Sequence, residues 1–145
     1  MKLLIQRVLE ASVDVNNQTV GKIAQGLLVF LGVEKGDTPK QADFLANKLL
    51  NLRIFEDSEG KMNLSIKDTK GELLIISQFT LAADTSQGNR PGFSTAEAPE
   101  LAKKMYEYFN SRIAEMYLKP QTGIFQADMK VKLINDGPST FLLTK

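Results

Sequence analysis

The sequence predicts one mixed α/β domain, dominated by β sheet in a barrel-like or layered arrangement, with two main helices packed on one side. Three observations predict it. Apolar residues alternate with polar ones, or run on without a break, in short segments near both ends of the chain, which is the pattern of strands. Just two longer segments carry apolar residues at helical spacing. No repeat, low-complexity tract or linker divides the 145 residues. A domain of that size buries about 68–70% of its unfolded surface, enough for a core.

Leu3 to Leu9 is strand-like, and Ala11, Val13 and Val15 alternate with polar neighbours. Asn16-Asn17-Gln18 reads as a turn and Thr19 to Ile23 as its return strand. Leu27 to Val33 is apolar throughout, as expected of a strand covered on both faces. The first helix starts at Thr38-Pro39: threonine caps, proline suits the first helical position, and Gln41 completes a capping box. Ala42, Leu45, Ala46, Leu49 and Leu52 then mark its buried stripe. Arg53 to Phe55 returns to strand, Glu56 to Gly60 turns, and Met62, Leu64 and Ile66 alternate. Leu73 to Leu81 reads as another buried strand, with Ser77-Gln78-Phe79-Thr80-Leu81 at its end. Ala82 to Ala96 is a long irregular stretch of the kind that often carries function. Glu97 to Tyr117 is the second helix, with Leu101, Met105, Tyr108, Phe109, Ile113 and Met116 on one side. Strands Asp128–Leu133 and Thr140–Leu143 follow, with Gly137-Pro138 between them.

Composition narrows the chemistry. There is no cysteine and no histidine. Thiol nucleophiles, the Ser-His-Asp triad and the usual zinc sites are thereby removed. A metal would need carboxylates alone, and none are spaced as a calcium loop, so neither metal nor cofactor is expected. An enzyme of this composition lacks the commonest general base at neutral pH. Its substrate must be reactive already or supply part of the machinery. No run approaches the ~18 apolar residues of a membrane span, and Arg7 breaks the apolar start too early for a signal peptide. A cytoplasmic protein with no membrane partner is expected. The net charge of +1 does not suggest nucleic acid, and Arg90, Lys103, Lys104, Lys119, Lys130 and Lys132 read more readily as solvated surface than as a patch.

Two segments stand out. Ser77 to Leu81 ends an apolar strand with polar side chains, where free N–H groups can meet a carbonyl oxygen that turns negative. Ser77 and Thr80 have no histidine to activate them, and Gln78 cannot take a proton usefully. The same five residues are also consistent with a strand end whose polar groups are satisfied locally. Asn135-Asp136-Gly137-Pro138-Ser139-Thr140 contains a Gly-Pro pair, which by itself reads as a turn.

Together the two segments closely resemble the paired signatures of the D-aminoacyl-tRNA deacylases, also known as the D-tyrosyl-tRNA deacylase family. The resemblance runs along the chain. It includes Ile5-Gln6-Arg7-Val8, Gly26 to Val33, Lys48 to Phe55, Gly60 to Ser65, Arg90-Pro91 with Phe93-Ser94, and Phe125 with Ala127-Asp128-Met129. The chain departs from the pattern at Gln126, where the family often has Gly, at Ser139, where it usually has Val, and at Gly92, where it often has Ser.

The resemblance implies hydrolysis of the ester between a D-amino acid, or glycine mischarged on alanine tRNA, and the tRNA acceptor end. Gln78, Phe79 and Thr80 would form the catalytic set, with backbone N–H groups around Phe79 and Thr80 on the ester carbonyl. Ser77, Phe125 and Met129 would shape the pocket, although Phe125 and Met129 also read as ordinary core. Gly137-Pro138, cis in the family, would enter the pocket of the other subunit of a homodimer and reject L side chains. Arg7 and Asn135 would hold that dipeptide, although Arg7 reads equally as a surface strand residue. The 2′-hydroxyl of the terminal adenosine would assist, which suits a chain without histidine. No DNA partner is implied. Two rivals remain. One is a related deacylase of small L-amino acids with a trans Gly-Pro bond, against which Phe79 argues. The other is a nucleic-acid-binding module without chemistry.

Overall fold

A computed structural model describes residues 1–145. Eight strands and three α-helices follow the order β1 (Lys2–Val15), β2 (Gln18–Ile23), β3 (Gly26–Gly32), α1 (Pro39–Asn51), β4 (Phe55–Glu56), β5 (Met62–Leu64), α2 (Ile66–Thr69), β6 (Glu72–Ser77), α3 (Pro99–Met116), β7 (Gln121–Thr122) and β8 (Lys130–Thr144). The main sheet runs β2-β1-β3-β6-β7, with β8 paired along the other edge of β1. β1 is antiparallel to β2, β3 and β8, whereas β3–β6 and β6–β7 are parallel.

The ends of this order curl toward each other. A Cβ added at Gly21 of β2 would lie 2.8 Å from the Thr122 carbonyl oxygen of β7. Only glycine allows that approach, and the sheet becomes a nearly closed barrel. Val8, Ala11, Val13, Ile23, Leu28, Leu74 and Ile76 fill its interior. The opposite face of β3, carrying Leu27, Val29 and Leu31, packs with Leu3, Ile5 and Ile75 against α1 and α3. Strand β3 is therefore covered on both faces, and the two long helices lie on one side of the sheet, as its apolar run and the helical stripes predict.

The Thr38 capping box and Pro39 start α1, and Ala42, Leu45, Ala46, Leu49 and Leu50 are buried along it. In α3 the buried residues are Tyr106, Phe109 and Ile113, while Leu101 is 54% exposed and contributes nothing to the core.

Four boundaries differ from the sequence expectation. β6 stops at Ser77, and Phe79–Ala82 forms a 3-10 helix instead of continuing the strand. Ile66 opens α2 because Ser65 and Asp68 form a reciprocal capping box. Arg53 and Ile54 stay outside β4. The two C-terminal strands are one strand, β8, interrupted by an excursion: Val8 pairs with Asn135 and Gln6 with Thr140, so the residues between Asn135 and Thr140 loop out and the strand then rejoins the same partner.

Candidate active site

A cavity of about 560 Å³ opens where β3 and β6 end, between the start of α3 and the segment before β8. Ser77, Gln78 and Phe79 line one side, and Phe125 and Met129 line another. The sequence segments that carry these residues lie roughly fifty positions apart, and the fold brings them to one cavity. Phe125 also touches the helix-side core, so it acts as core and pocket at once.

The local fold explains the shape. The parallel partner of β6 runs out at Leu31, which pairs with Ser77 and accepts a 2.7 Å bond from the Gln78 N–H. With no further partner, the chain tightens into the 3-10 helix, where Leu81 N–H donates to the Gln78 carbonyl. The Phe79 and Thr80 N–H groups open that helix and have no intrahelical acceptor. Gln78 Nε2 donates to the Thr80 hydroxyl, and Thr80 itself is exposed beside the cavity rather than in its wall.

Among the lining residues that the sequence reading did not assign to the site, Tyr106, Glu97 and Asp128 carry polar groups. Tyr106 lines the floor, donates a 2.7 Å bond to the Ile75 carbonyl, and tilts against Phe125 with ring centroids 5.9 Å apart. Burial pushes its phenol up to about 12, so it stays protonated and is no base. Tyr106 falls outside the stripe read from the sequence, although its spacing of three and seven residues from Phe109 and Ile113 places it on their side of the helix. Glu97 and Asp128 add carboxylates to the lining. No group of three or more His, Cys, Asp or Glu residues is placed to hold a metal ion.

Gln126 sits in the lining with φ +63°, in the left-handed region. Glycine takes this conformation most readily, so the geometry favours glycine here and Gln126 holds a backbone conformation that a side chain makes costlier.

The second segment lies elsewhere. Gly137 and Pro138 are exposed and do not line the cavity of their own chain. The peptide bond between them is cis. Asn135 clamps the excursion: its Oδ1 accepts the Ser139 N–H at 2.7 Å and its Nδ2 donates to the Ser139 carbonyl at 3.1 Å. Buried Arg7 holds the other side, donating to the carbonyls of Asp136 at 3.0 Å and Ile54 at 2.7 Å. It is no surface arginine. Gly137 has φ +141°, and a Cβ there would come within 2.8 Å of the Ser139 nitrogen and overlap the Ser139 hydroxyl.

Comparisons with known proteins bear on the family. The model of the family described as D-Tyr-tRNA(Tyr) deacylase matches residues 4–144. A D-aminoacyl-tRNA deacylase of Geotalea uraniireducens (strain Rf4) is 62% identical over 143 residues, covering 99% of this chain and 92% of that protein. One from Haemophilus influenzae (strain Rd) is 58% identical, covering 99% of each. The solved structure of a c-Myc DNA unwinding element binding protein superposes with a TM-score of 0.96 at 38% identity, covering 100% of this chain and 99% of that one. A probable eukaryotic D-amino acid tRNA deacylase shares the fold, with a TM-score of 0.82 at 16% identity over 98% and 97% of the two chains. The match along nearly the full length establishes that the chain belongs to the D-Tyr-tRNA(Tyr) deacylase family.

Proposed function

We propose that this member of the deacylase family hydrolyses the ester of D-aminoacyl-tRNA, and of glycine mischarged on alanine tRNA, releasing amino acid and tRNA in the cytoplasm. The observation that carries the reading is the cavity edged by the Phe79 and Thr80 N–H groups, which have no intrahelical acceptor, with an exposed Gly137-Pro138 pair held outside it by Asn135 and Arg7.

The terminal adenosine enters the cavity, whose walls offer Tyr106 and Phe125 rings to a base and whose size is that of a small-molecule site. The ester carbonyl meets the Phe79 and Thr80 N–H groups, which stabilise the negative charge that develops on its oxygen. Gln78 fixes the Thr80 hydroxyl toward the same edge. With no histidine in the chain, assistance comes from the substrate: the 2′-hydroxyl beside the ester hydrogen-bonds the attacking water, the bond from the carbonyl carbon to the 3′-oxygen breaks, and the water's proton ends on that leaving oxygen. This needs position and polarisation from the protein, not a covalent nucleophile.

Selection against L-amino acids falls to Gly137 and Pro138 of a second subunit. Their carbonyl oxygens meet an L side chain, whereas a D substituent or the hydrogen of glycine avoids them. Two features support the homodimer. Each cavity lacks its own Gly137-Pro138, and Leu9, Ile134 and Leu142 of β1 and β8 are exposed apolar residues. An isologous dimer would place two such dipeptides in two cavities at once.

The test is deacylation of matched D-tyrosyl-, L-tyrosyl- and glycyl-tRNA by the purified protein. The D- and glycyl-tRNAs are hydrolysed and the L-tyrosyl-tRNA is spared at the same enzyme concentration. Equal rates on D and L would overturn the assignment. A second reading, binding of nucleic acid without chemistry, draws on the name of the 38%-identical solved structure. Gln78 bonded to Thr80 at the cavity edge and the Gly137-Pro138 pair clamped by Asn135, which binding alone does not need, weigh against it. Binding of RNA or DNA without any turnover would favour it.

A further inference from the structure

Phe79 and Phe93 form an aromatic pair that the proposed reaction leaves unused. Their ring centroids are 5.0 Å apart at 54°, yet Phe79 is 59% and Phe93 41% exposed. Two large rings turned to solvent at the edge of a cavity cost apolar exposure that packing alone does not explain. Phe79 lines the cavity and Phe93 stands outside it, so the pair extends an aromatic surface from the cavity over its rim.

The Phe93 ring is carried on an anchored hairpin. Asp84 and Gly92 exchange two 2.8 Å backbone bonds below it, Lys35 N–H donates to the Thr95 carbonyl at 2.9 Å above it, and the Thr95 hydroxyl donates to the Ala82 carbonyl. Arg90, on the same hairpin, is exposed and makes no ion pair. Inside the cavity the charged residues are instead Glu97 and Asp128. A phosphodiester chain that leaves the cavity is therefore repelled from its interior and meets the free cation of Arg90, the hairpin's one basic side chain, whose charge Asp84 at the hairpin's base does not pair.

We propose that the exposed Phe79–Phe93 pair is a stacking platform for the penultimate nucleotide of the acceptor end, with Arg90 taking the phosphate that follows it. The proposal rests on the deacylase reading and places the nucleotide next to the ester-bearing adenosine. A platform of this kind tolerates any base, because every base has a π-face. It also supplies affinity from a single-stranded end without the strong basic excess that this chain lacks.

Three substrates separate the possibilities: D-tyrosyl-tRNA, a D-tyrosyl CCA trinucleotide, and D-tyrosyl-adenosine, which has no penultimate nucleotide. Phe93→Ala raises KM for the first two by roughly 5- to 100-fold, the range of one base-on-ring stack, and leaves kcat unchanged. D-tyrosyl-adenosine is hydrolysed as by the unaltered protein, and Phe93→Tyr restores the other two. Arg90→Ala raises KM for tRNA and trinucleotide and makes both less sensitive to salt. An equal loss on all three substrates would mean that Phe93 merely props Phe79 or receives the tyrosyl ring, and would overturn the platform. So would an unchanged KM for the trinucleotide. Should the unaltered protein hydrolyse none of the three, the deacylase reading itself fails. Binding of the uncharged CCA trinucleotide then decides the platform alone: weaker binding to Phe93→Ala sustains it, and equal binding ends it.

Discussion

Arg7 and Asp136 meet twice: the guanidinium Nε donates to the Asp136 carbonyl at 3.0 Å and lies 3.3 Å from its carboxylate. The same buried side chain reaches Ile54 on another segment, so one residue of β1 ties the excursion in β8 to the turn before β4. Arg7→Ala leaves these buried acceptors unpaired and costs about 3 kcal/mol of stability. Arg7→Lys recovers little, because an ammonium cannot span both carbonyls as the planar fork does. Denaturant unfolding checks both, and D-over-L selectivity falls with the looser excursion.

Gly137→Ala tests the dipeptide. Its φ of +141° and the 2.8 Å approach to the Ser139 nitrogen leave no room for a methyl group. Deacylation of D-aminoacyl-tRNA drops sharply, by around 100-fold if the carbonyl moves ~1 Å, while the circular dichroism spectrum stays native. Subunits carrying Gly137→Ala mixed with subunits carrying Gln78→Ala regain part of the activity. In such a heterodimer one site holds both lesions and the other neither.

Thr80 separates two mechanisms. If its N–H matters more than its hydroxyl, Thr80→Ser keeps activity. Thr80→Ala then loses far less than the ~10⁶ that a missing covalent nucleophile costs in a protease. Single-turnover kinetics measure both, and an aminoacyl ester trapped on Thr80 would overturn substrate assistance.

Tyr106 predicts an alkaline limit. Its phenol is held up to about 12 when folded, chiefly by burial, against an ordinary 10. The unfolded chain therefore loses this proton first, and stability present below pH 10 is lost as pH rises toward 12. A shift of that size corresponds to about 2–3 kcal/mol. Tyr106→Phe is less stable at pH 7, because the Ile75 carbonyl loses its donor, but its stability falls less steeply between pH 10 and 12.

Gln126→Gly relieves a side chain held at φ +63°. Stability rises by about 1 kcal/mol, and the cavity widens at that wall. Thermal unfolding reads the first effect.

Much of this molecule was legible because its signals are local. Thr38, Pro39 and Gln41 carry the start of α1 in three side chains, and the unbroken run at Leu27 announces a strand with two covered faces. What was missed depends on partners far away. Phe79, Thr80 and Leu81 are good strand residues, yet no neighbouring strand exists for them once β3 ends. Gly137-Pro138 punctuates a strand without ending it, because β1 is long enough to accept the chain again at Thr140. The start of α2 depends on the Ser65–Asp68 capping box, which the alternation of Met62, Leu64 and Ile66 does not reveal. Around the cavity, Ser77, Gln78, Phe79, Phe125 and Met129 are residues that the resemblance points to, whereas Tyr106, Glu97 and Asp128 join the lining only through the packing of α3 and the segment before β8.

The long pairing of β1 with β8 has a bearing on how the chain assembles. Leu3 is matched with Leu143 and Val13 with Val131, so contacts at the middle of the sheet close loops of more than a hundred residues. Closing such loops slows folding far more than it weakens the folded state. On the ribosome, β1 can pair early with β2 and β3, but its other edge stays unmatched until β8 emerges. During that interval an apolar strand presents open backbone donors and acceptors, and chaperones and neighbouring chains compete for them.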